Sequence, residues 1–508
     1  MAEAGARAVA VAVPASTIQA EAALWPLLAA AAATAAIAPL WISELLPFQD
    51  APQHLAAIRV LADYHAPGLQ FEKWFEIDLN RLQYLGFYLP AAALSRLVGP
   101  DAACRICLSV IALALPAAFW MLLGALGRDR RLAVFAPAVF HTTPLYLGFF
   151  NFVESIPAAV AVVALTEREL RAPTISRALL LAAGAAALLW LHPSALAFAI
   201  GAAAVLAITS GAPRRRIARA LAPYLPALAL IALWTVQALA ARDGPGTEGH
   251  TAPHWMGLRN QVLELLRFGN VLAGTYDELF AIALIGLFAA VVLVKGRPRQ
   301  ERWWRVPLLA ALTLAVFLAA PYDMGYMGYI HLRALPFLVL LVIASPLIAP
   351  GRATGTILAA VVALQVANAA HLASVYRAFD REAQVTQLGQ VLHAAEPGKR
   401  LIAILDGTES RVVQFQAYLH FSAYYELLRG GRARYNFAET PWTPVRFRKG
   451  EEPVPLPRSW ELRPFDLDLG YATMDEDYAL VKAPGPRPPG FVLRARAGIW
   501  SLYEAARR

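Results

Sequence analysis

Between Ala22 and Ala370 the chain returns repeatedly to apolar runs, several of them 18 residues or longer. A run of that length matches the hydrocarbon core of a bilayer, roughly 30 Å thick. In lipid every backbone polar group must be satisfied within the protein, so such runs span as helices. The repetition predicts an α-helical polytopic membrane protein. Composition agrees. Of 508 residues, 58% are hydrophobic and 16% charged, against about 25% charged in a soluble domain. The first run is long and others follow it, so it reads as a retained helix and not as a cleaved signal.

Spans are expected near 23–46, 103–126, 131–148, 155–170, 178–191, 193–210, 218–240, 278–295, 306–320, 334–349 and 353–370, about eleven in all. Basic clusters fill the short gaps: GRDRR at 127–131, ERELRAPTISR at 167–177, GAPRRR at 211–216, KGRPRQERWWR at 295–305 and PGR at 350–352. Cytoplasmic loops of membrane proteins carry such an excess of Lys and Arg. With the N-terminus inside, every one of these loops falls inside. The net charge of +9 is thus a topology signal. Its basic residues are scattered between spans and build no single face for nucleic acid.

The same orientation places 47–102, 147–155, 241–277, 321–333 and everything after about 372 outside. Residues 84–99, YLGFYLPAAALSRLVG, are apolar but short and carry Pro90. They are expected to form a helix in the outer interface. The spans and loops of 1–371 then make one transmembrane domain. Residues 372–508 make a second, an extracytoplasmic α/β domain. There RLIAILD (400–406), ARYNFA, PVRFR, DYALVKA and FVLRARAGIWSLYEA alternate like strands. VVQFQAYLHFSAYYELLRGG (412–431) has helical periodicity and a Gly-Gly stop. Cys104 and Cys107, in CRIC on an apolar helix, read as small core residues. No second pair completes a zinc site.

The ionisable residues crowd the outer ends of the spans. WISELLPFQDAPQHLAAI, 41–58, ends the first run and brings Asp50 and His54 to the membrane edge, with Pro47 and Pro52 stiffening the flanks. A carboxylate there can deprotonate a hydroxyl or bind a cation; alternatively it caps the helix that follows. LGFFNFVES puts Asn151 and Glu154 at the next outer turn, where an ionisable group marks function by default. LHPS places His192 at another. PYDMGYMGYIHLRALPF gathers Tyr322, Asp323, His331 and Arg333 before a span. Arg333 has the planar, permanently charged fork suited to a phosphate. In the C-terminal part, His420 lies in an aromatic stretch suited to sugar contact or packing.

This layout of a first span, an outer loop opening on Asp50, an amphipathic outer helix, a second outer apolar helix and then many spans resembles the GT-C superfamily of membrane glycosyltransferases. That superfamily includes protein mannosyltransferases, lipid A aminoarabinose transferases and oligosaccharyltransferases. The resemblance covers roughly 20–350. It implies a catalytic carboxylate at Asp50, acting as general base, and a polyprenyl-phosphate-linked sugar as donor. It also implies transfer to an acceptor hydroxyl at the outer face, with inversion in a single displacement. Arg333 and His331 would hold the donor phosphate. His54, Asn151, Glu154, His192, Tyr322, Asp323 and His420 would line the substrate side. No cofactor is certain; Asp50 and Glu154 could share a divalent cation, Mg or Mn. The acceptor would be a glycan, lipid or protein, and the location a bacterial-type cytoplasmic (inner) membrane. Two other functions fit parts of the pattern: a transporter or flippase of lipid-linked sugars, and a catalytically silent assembly scaffold. A transporter calls for ionisable groups within spans and inverted repeats, and neither is evident.

Overall fold

The computed structural model describes residues 15–80, 83–240, 252–294, 302–324, 327–348, 351–405, 407–440, 443–457, 460–462 and 468–506. The expected outer stretch 241–251 and most of the basic gap at 295–301 lie outside the described residues.

The Ala- and Leu-rich runs form α1 (Ala15–Ile37), α2 (Ala51–Ala62), α3 (Leu85–Val98), α4 (Pro100–Ala125), α5 (Phe150–Arg171), α6 (Ile175–Leu191), α7 (Pro193–Thr209), α8 (Leu225–Ala240), α9 (Leu258–Leu266), α10 (Thr275–Leu293), α11 (Arg305–Ala319), α12 (Leu335–Ala344) and α13 (Arg352–Ala383). Among the described residues, five helical stretches are long and apolar enough to cross a membrane: Pro100–Ala125, Phe150–Arg171, Arg214–Gln237, Thr275–Leu293 and Arg352–Ala383. Six shorter apolar helices accompany them. Large side chains such as Val110, Trp120, Leu179, Ile208, Ile282 and Val316 stand exposed on these helices, an apolar surface of the kind a membrane covers. The chain is a multi-pass membrane protein.

The interior helix is α5. Its polar residues Ser155, Thr166, Glu167 and Glu169 are buried. Glu167 takes a two-pronged ion pair from Arg305, at 2.9 and 2.8 Å. That end of α5 adjoins the basic loops. Asn151 and Glu154 sit at the other end, roughly 20–24 Å from Glu167 at 1.5 Å per residue.

Two expected elements take other forms. Residues 131–148 do not make one span. They break into short turns at Arg130–Phe135, Pro137–Phe140 and Thr143–Tyr146, because Pro137 and Pro144 cannot donate to a helical ladder and Thr142 is extended. The run at 412–431 is helical only over Ala423–Arg429. Upstream its backbone bonds elsewhere: the Gln414 N–H donates to Leu272 O and the Tyr418 N–H to Thr408 O. Tertiary partners replace the i−4 ladder there.

The C-terminal part carries a five-stranded sheet. Strands β2 (Arg400–Leu405), β3 (Arg432–Ala433), β5 (Tyr478–Lys482), β6 (Phe491–Ala497) and β7 (Trp500–Ala505) run in the order β3-β2-β5-β7-β6. β2 is parallel to β3 and β5; β5–β7 and β6–β7 are antiparallel. Of the expected ARYNFA strand (433–438) only Ala433 is in a strand, at the end of β3. PVRFR forms β4 (Val445–Phe447) away from this sheet, pairing with β1 (Phe75–Ile77) of the 47–102 loop, Glu76 opposite Arg446. The loop after the first span and the C-terminal part are thus joined through backbone.

Candidate active site

Asp50 closes a turn of the chain before α2. Two anchors set its backbone. The Gln49 N–H donates to Tyr146 O at 2.9 Å and the Asp50 N–H to Leu147 O at 3.2 Å. Gly148 then turns at φ +85° directly against Asp50: a Cβ there would lie 2.7 Å from Asp50 Cβ. Only glycine combines that φ with that approach. Asp50 holds the N-cap position of α2, yet its side chain makes no capping hydrogen bond. The capping alternative is therefore not what the side chain does.

Instead the carboxylate faces the C-terminal part. His420 Nε2 lies 3.2 Å from Asp50 Oδ1, and the Gln49 amide reaches the same oxygen at 3.4 Å. Among the described residues no donor reaches Oδ2, and the side chain keeps 12% exposure. One oxygen is held and the other is available.

Two imidazoles flank this point, each with its tautomer set by neighbours. His54 Nε2 lies 2.6 Å from the Gly148 carbonyl, which can only accept, so Nε2 carries the proton. His54 Nδ1 accepts from Tyr88 Oη at 2.8 Å, and Tyr88 is hydrogen-bonded by Asn151. Burial pushes the His54 imidazole down to about 4, against a smaller opposing pull from Asp50. His54 is neutral at pH 7, with both nitrogens committed. Phe437 stands edge-on to both rings, 5.5 Å from His54 and 5.6 Å from His420.

Glu154 lies one turn beyond Asn151. Its Oε2 is buried without a hydrogen-bond partner, and a Cβ at Gly86 would sit 3.2 Å from it. Among the described residues no group of three or more His, Cys, Asp or Glu is arranged to hold a metal ion.

Arg333 lies on the other side of the same turn. Its guanidinium stands 5.7 Å from the Phe149 ring, one residue past Gly148. Its Nε is buried and unpartnered, and among the described residues no carboxylate pairs with it. Tyr84 and His192 feel its charge, and their rings are 5.4 Å apart. His192 Nδ1 accepts from the Ser194 N–H at 3.2 Å, capping α7. His331 is fully buried, with Nε2 2.6 Å from Glu264 on α9. Tyr322 packs on Tyr329 and His331, and the Asp323 carbonyl accepts from the His254 N–H at 3.0 Å.

Beside this second cluster, α12 lines an apolar cleft. Phe135, Val139, Phe268, Phe280, Leu335 and Val339 are among its walls. Leu335, one of these walls, follows Arg333 by two residues in the chain.

The structure thus brings Asp50, His54, Asn151 and His420 together and sets Arg333 and His192 across the 148–149 turn. Sequence reasoning missed Tyr88, Gln53, Gly148, Tyr435, Phe437 and Glu264. Of these only Gly148 carried a signal, as the glycine of an outer turn.

No family profile matches the chain, and no curated protein matches it in sequence. Two solved structures share its fold. ArnT from Cupriavidus metallidurans in the apo state has 12% identity and a TM-score of 0.53, covering 95% of this chain and 98% of its own. The same protein bound to undecaprenyl phosphate has 10% identity and a TM-score of 0.54, covering 97% and 98%. The chain has a GT-C-like fold along essentially its whole length.

Proposed function

We propose that this protein is a membrane glycosyltransferase that moves a sugar from a polyprenyl-phosphate carrier to an acceptor hydroxyl at the outer face of the membrane. The observation that carries the reading is the 148–149 turn. One of its residues presses on a half-free carboxylate, and the ring of the next stands beside a guanidinium whose Nε is buried and which, among the described residues, has no carboxylate partner. A buried cation without a counter-ion is costly unless an anion completes it. A phosphate monoanion or diester fits the Arg fork. The apolar cleft beside Leu335 suits an isoprenoid chain, and the relative solved with undecaprenyl phosphate supports that class of donor.

The step balances as a single displacement. Asp50 Oδ2 takes the acceptor's hydroxyl proton as its oxygen bonds the anomeric carbon. The bond from that carbon to the phosphate oxygen breaks, and the electron pair leaves on a phosphate neutralised by Arg333. The anomeric centre inverts. His54, neutral and doubly hydrogen-bonded, shapes the wall. No step is routed through a cation. By the positive-inside pattern, the C-terminal sheet domain lies on the same outer side, in an envelope of the bacterial inner-membrane type.

The test is Asp50→Asn. Asparagine keeps the size and cannot take the proton. Release of undecaprenyl phosphate from undecaprenyl-phosphate sugars, assayed in native membranes, should fall on the order of 100-fold or more. Undecaprenyl phosphate affinity should be unchanged. A variant with the wild-type rate would end the assignment.

A further inference from the structure

His420 belongs to the C-terminal part, far along the chain from Asp50, yet its ring is placed with more constraint than substrate contact needs. Gln53, on the first turn of α2, clamps it. Gln53 Oε1 accepts the Phe437 N–H at 3.1 Å, which fixes the amide's orientation. Gln53 Nε2 therefore faces both the Tyr435 carbonyl at 2.6 Å and His420 Nδ1 at 3.3 Å. An amide NH₂ can only donate, so Nδ1 must accept. The neutral ring then carries its proton on Nε2, 3.2 Å from Asp50 Oδ1. Tyr435 stacks on the imidazole at 4.9 Å and 12°, which fixes the ring plane. His420 itself is 4% exposed. It is held on both faces of its function: proton out toward Asp50, lone pair in toward Gln53.

We propose that His420 is a positioning residue for the Asp50 base, and that the C-terminal part enters catalysis through this one hydrogen bond. The proposal rests on the transferase reading given above. By holding Oδ1, the imidazole turns Oδ2 toward the acceptor. Without it only the long 3.4 Å contact from Gln49 restrains rotation about the Cβ–Cγ bond, and the proton-accepting lone pair drifts from the attack line. Misplacement of a reacting group by about 1 Å can cost on the order of 100-fold. A role in touching the sugar or acceptor predicts something different, a change in substrate affinity.

The experiment compares five variants, Asp50→Asn among them, in detergent-free native membranes, with undecaprenyl-phosphate sugar as donor and undecaprenyl phosphate as the binding probe. His420→Ala and His420→Phe should both lower kcat on the order of 10- to 100-fold with KM and probe affinity near wild type. Phe keeps the stack on Tyr435, so a loss in both variants is not a folding failure. His420→Gln, whose amide can again donate to Oδ1, should recover most of the rate. In the double variant Asp50→Asn/His420→Ala the second change should add nothing, because the residue it serves is already gone. A His420→Phe protein at wild-type kcat overturns the proposal. So does a raised KM at unchanged kcat, or a double variant whose losses multiply. Each of those outcomes leaves the Asp50 assignment standing. Only wild-type turnover by Asp50→Asn alone removes the assignment itself.

Discussion

Gly148→Ala tests whether the catalytic geometry depends on the turn that presses against Asp50. The added Cβ would lie 2.7 Å from Asp50 Cβ, 2.9 Å from its backbone nitrogen and 3.0 Å from its Cα. Ordinary carbon contacts sit near 3.5–4.0 Å, so the two backbones must separate by about 1 Å. Asp50 cannot yield freely, because its own N–H and that of Gln49 are bonded to this same turn. Alanine at φ +85° also carries a left-handed penalty of roughly 1–2 kcal/mol. A control separates the two effects. Gly450 has φ +88° with nothing within 4 Å of its would-be Cβ, so Gly450→Ala meets the backbone strain alone. Gly450→Ala should lose thermal stability in detergent from that strain alone, and Gly148→Ala should lose more, because the clash adds to it. Only Gly148→Ala should also lose turnover, on the order of 100-fold for a ~1 Å displacement of the base. The assay is release of undecaprenyl phosphate from the lipid-linked donor, with undecaprenyl phosphate affinity measured alongside. A Gly148→Ala protein that turns over at the wild-type rate would refute the reasoning, since it would show that Asp50 tolerates displacement.

Two further outcomes follow from single side chains. Arg333→Lys replaces a two-pronged donor by a point charge and should weaken undecaprenyl phosphate binding on the order of tenfold while the Asp50 chemistry persists; unchanged affinity would place the phosphate elsewhere. His54, held at about 4 in the fold against an ordinary 6.5, binds its proton more readily in the unfolded chain. Its contribution is therefore complete above pH 6.5, falls as pH drops toward 4, and amounts to roughly 3 kcal/mol at 1.36 kcal/mol per pH unit. Thermal midpoints at pH 7.5 and pH 5 should drop further for wild type than for His54→Asn, and equal drops would refute the assignment.

What the sequence revealed divides along a physical line. Local patterns were legible. The apolar runs, β2, β5, the β6–β7 hairpin and the helix after Pro52 all follow from near-neighbour periodicity. Asp50 was singled out from its place at the end of a span. Residues whose role depends on distant partners were not. Tyr88 sits in an apolar run and looks like core until Asn151 and His54 arrive on its hydroxyl. Glu264 carries no local mark, yet it binds His331. The 412–422 segment has helical periodicity, and only the outside partners Leu272 and Thr408 explain why it is not a helix. At 131–148 the contrary evidence was in the sequence: Pro137 and Pro144 argue against one span, and the run's apolarity outweighed them.

The placement of Asp50 is over-determined, which bears on mechanism. Upstream, the chain at 40–45 is clamped by buried Arg105 on α4, which donates to the carbonyls of Leu40 and Glu44. Asp380 near the end of α13 accepts the N–H groups of Glu44 at 2.8 Å and Leu45 at 2.9 Å. The 145–148 turn holds Asp50 from the bundle side, and His420 holds its carboxylate from above. These anchors come from four parts of the chain that meet only in the finished fold. A residue that merely capped α2 would need none of them, because a capping bond to the first turn is local. A carboxylate that must present one lone pair in a fixed direction does need them, since a site's precision is set by the residues that support it. The local capping bond is absent and the distant constraints are present, and that contrast supports the proposal that Asp50 serves a reacting group outside the protein.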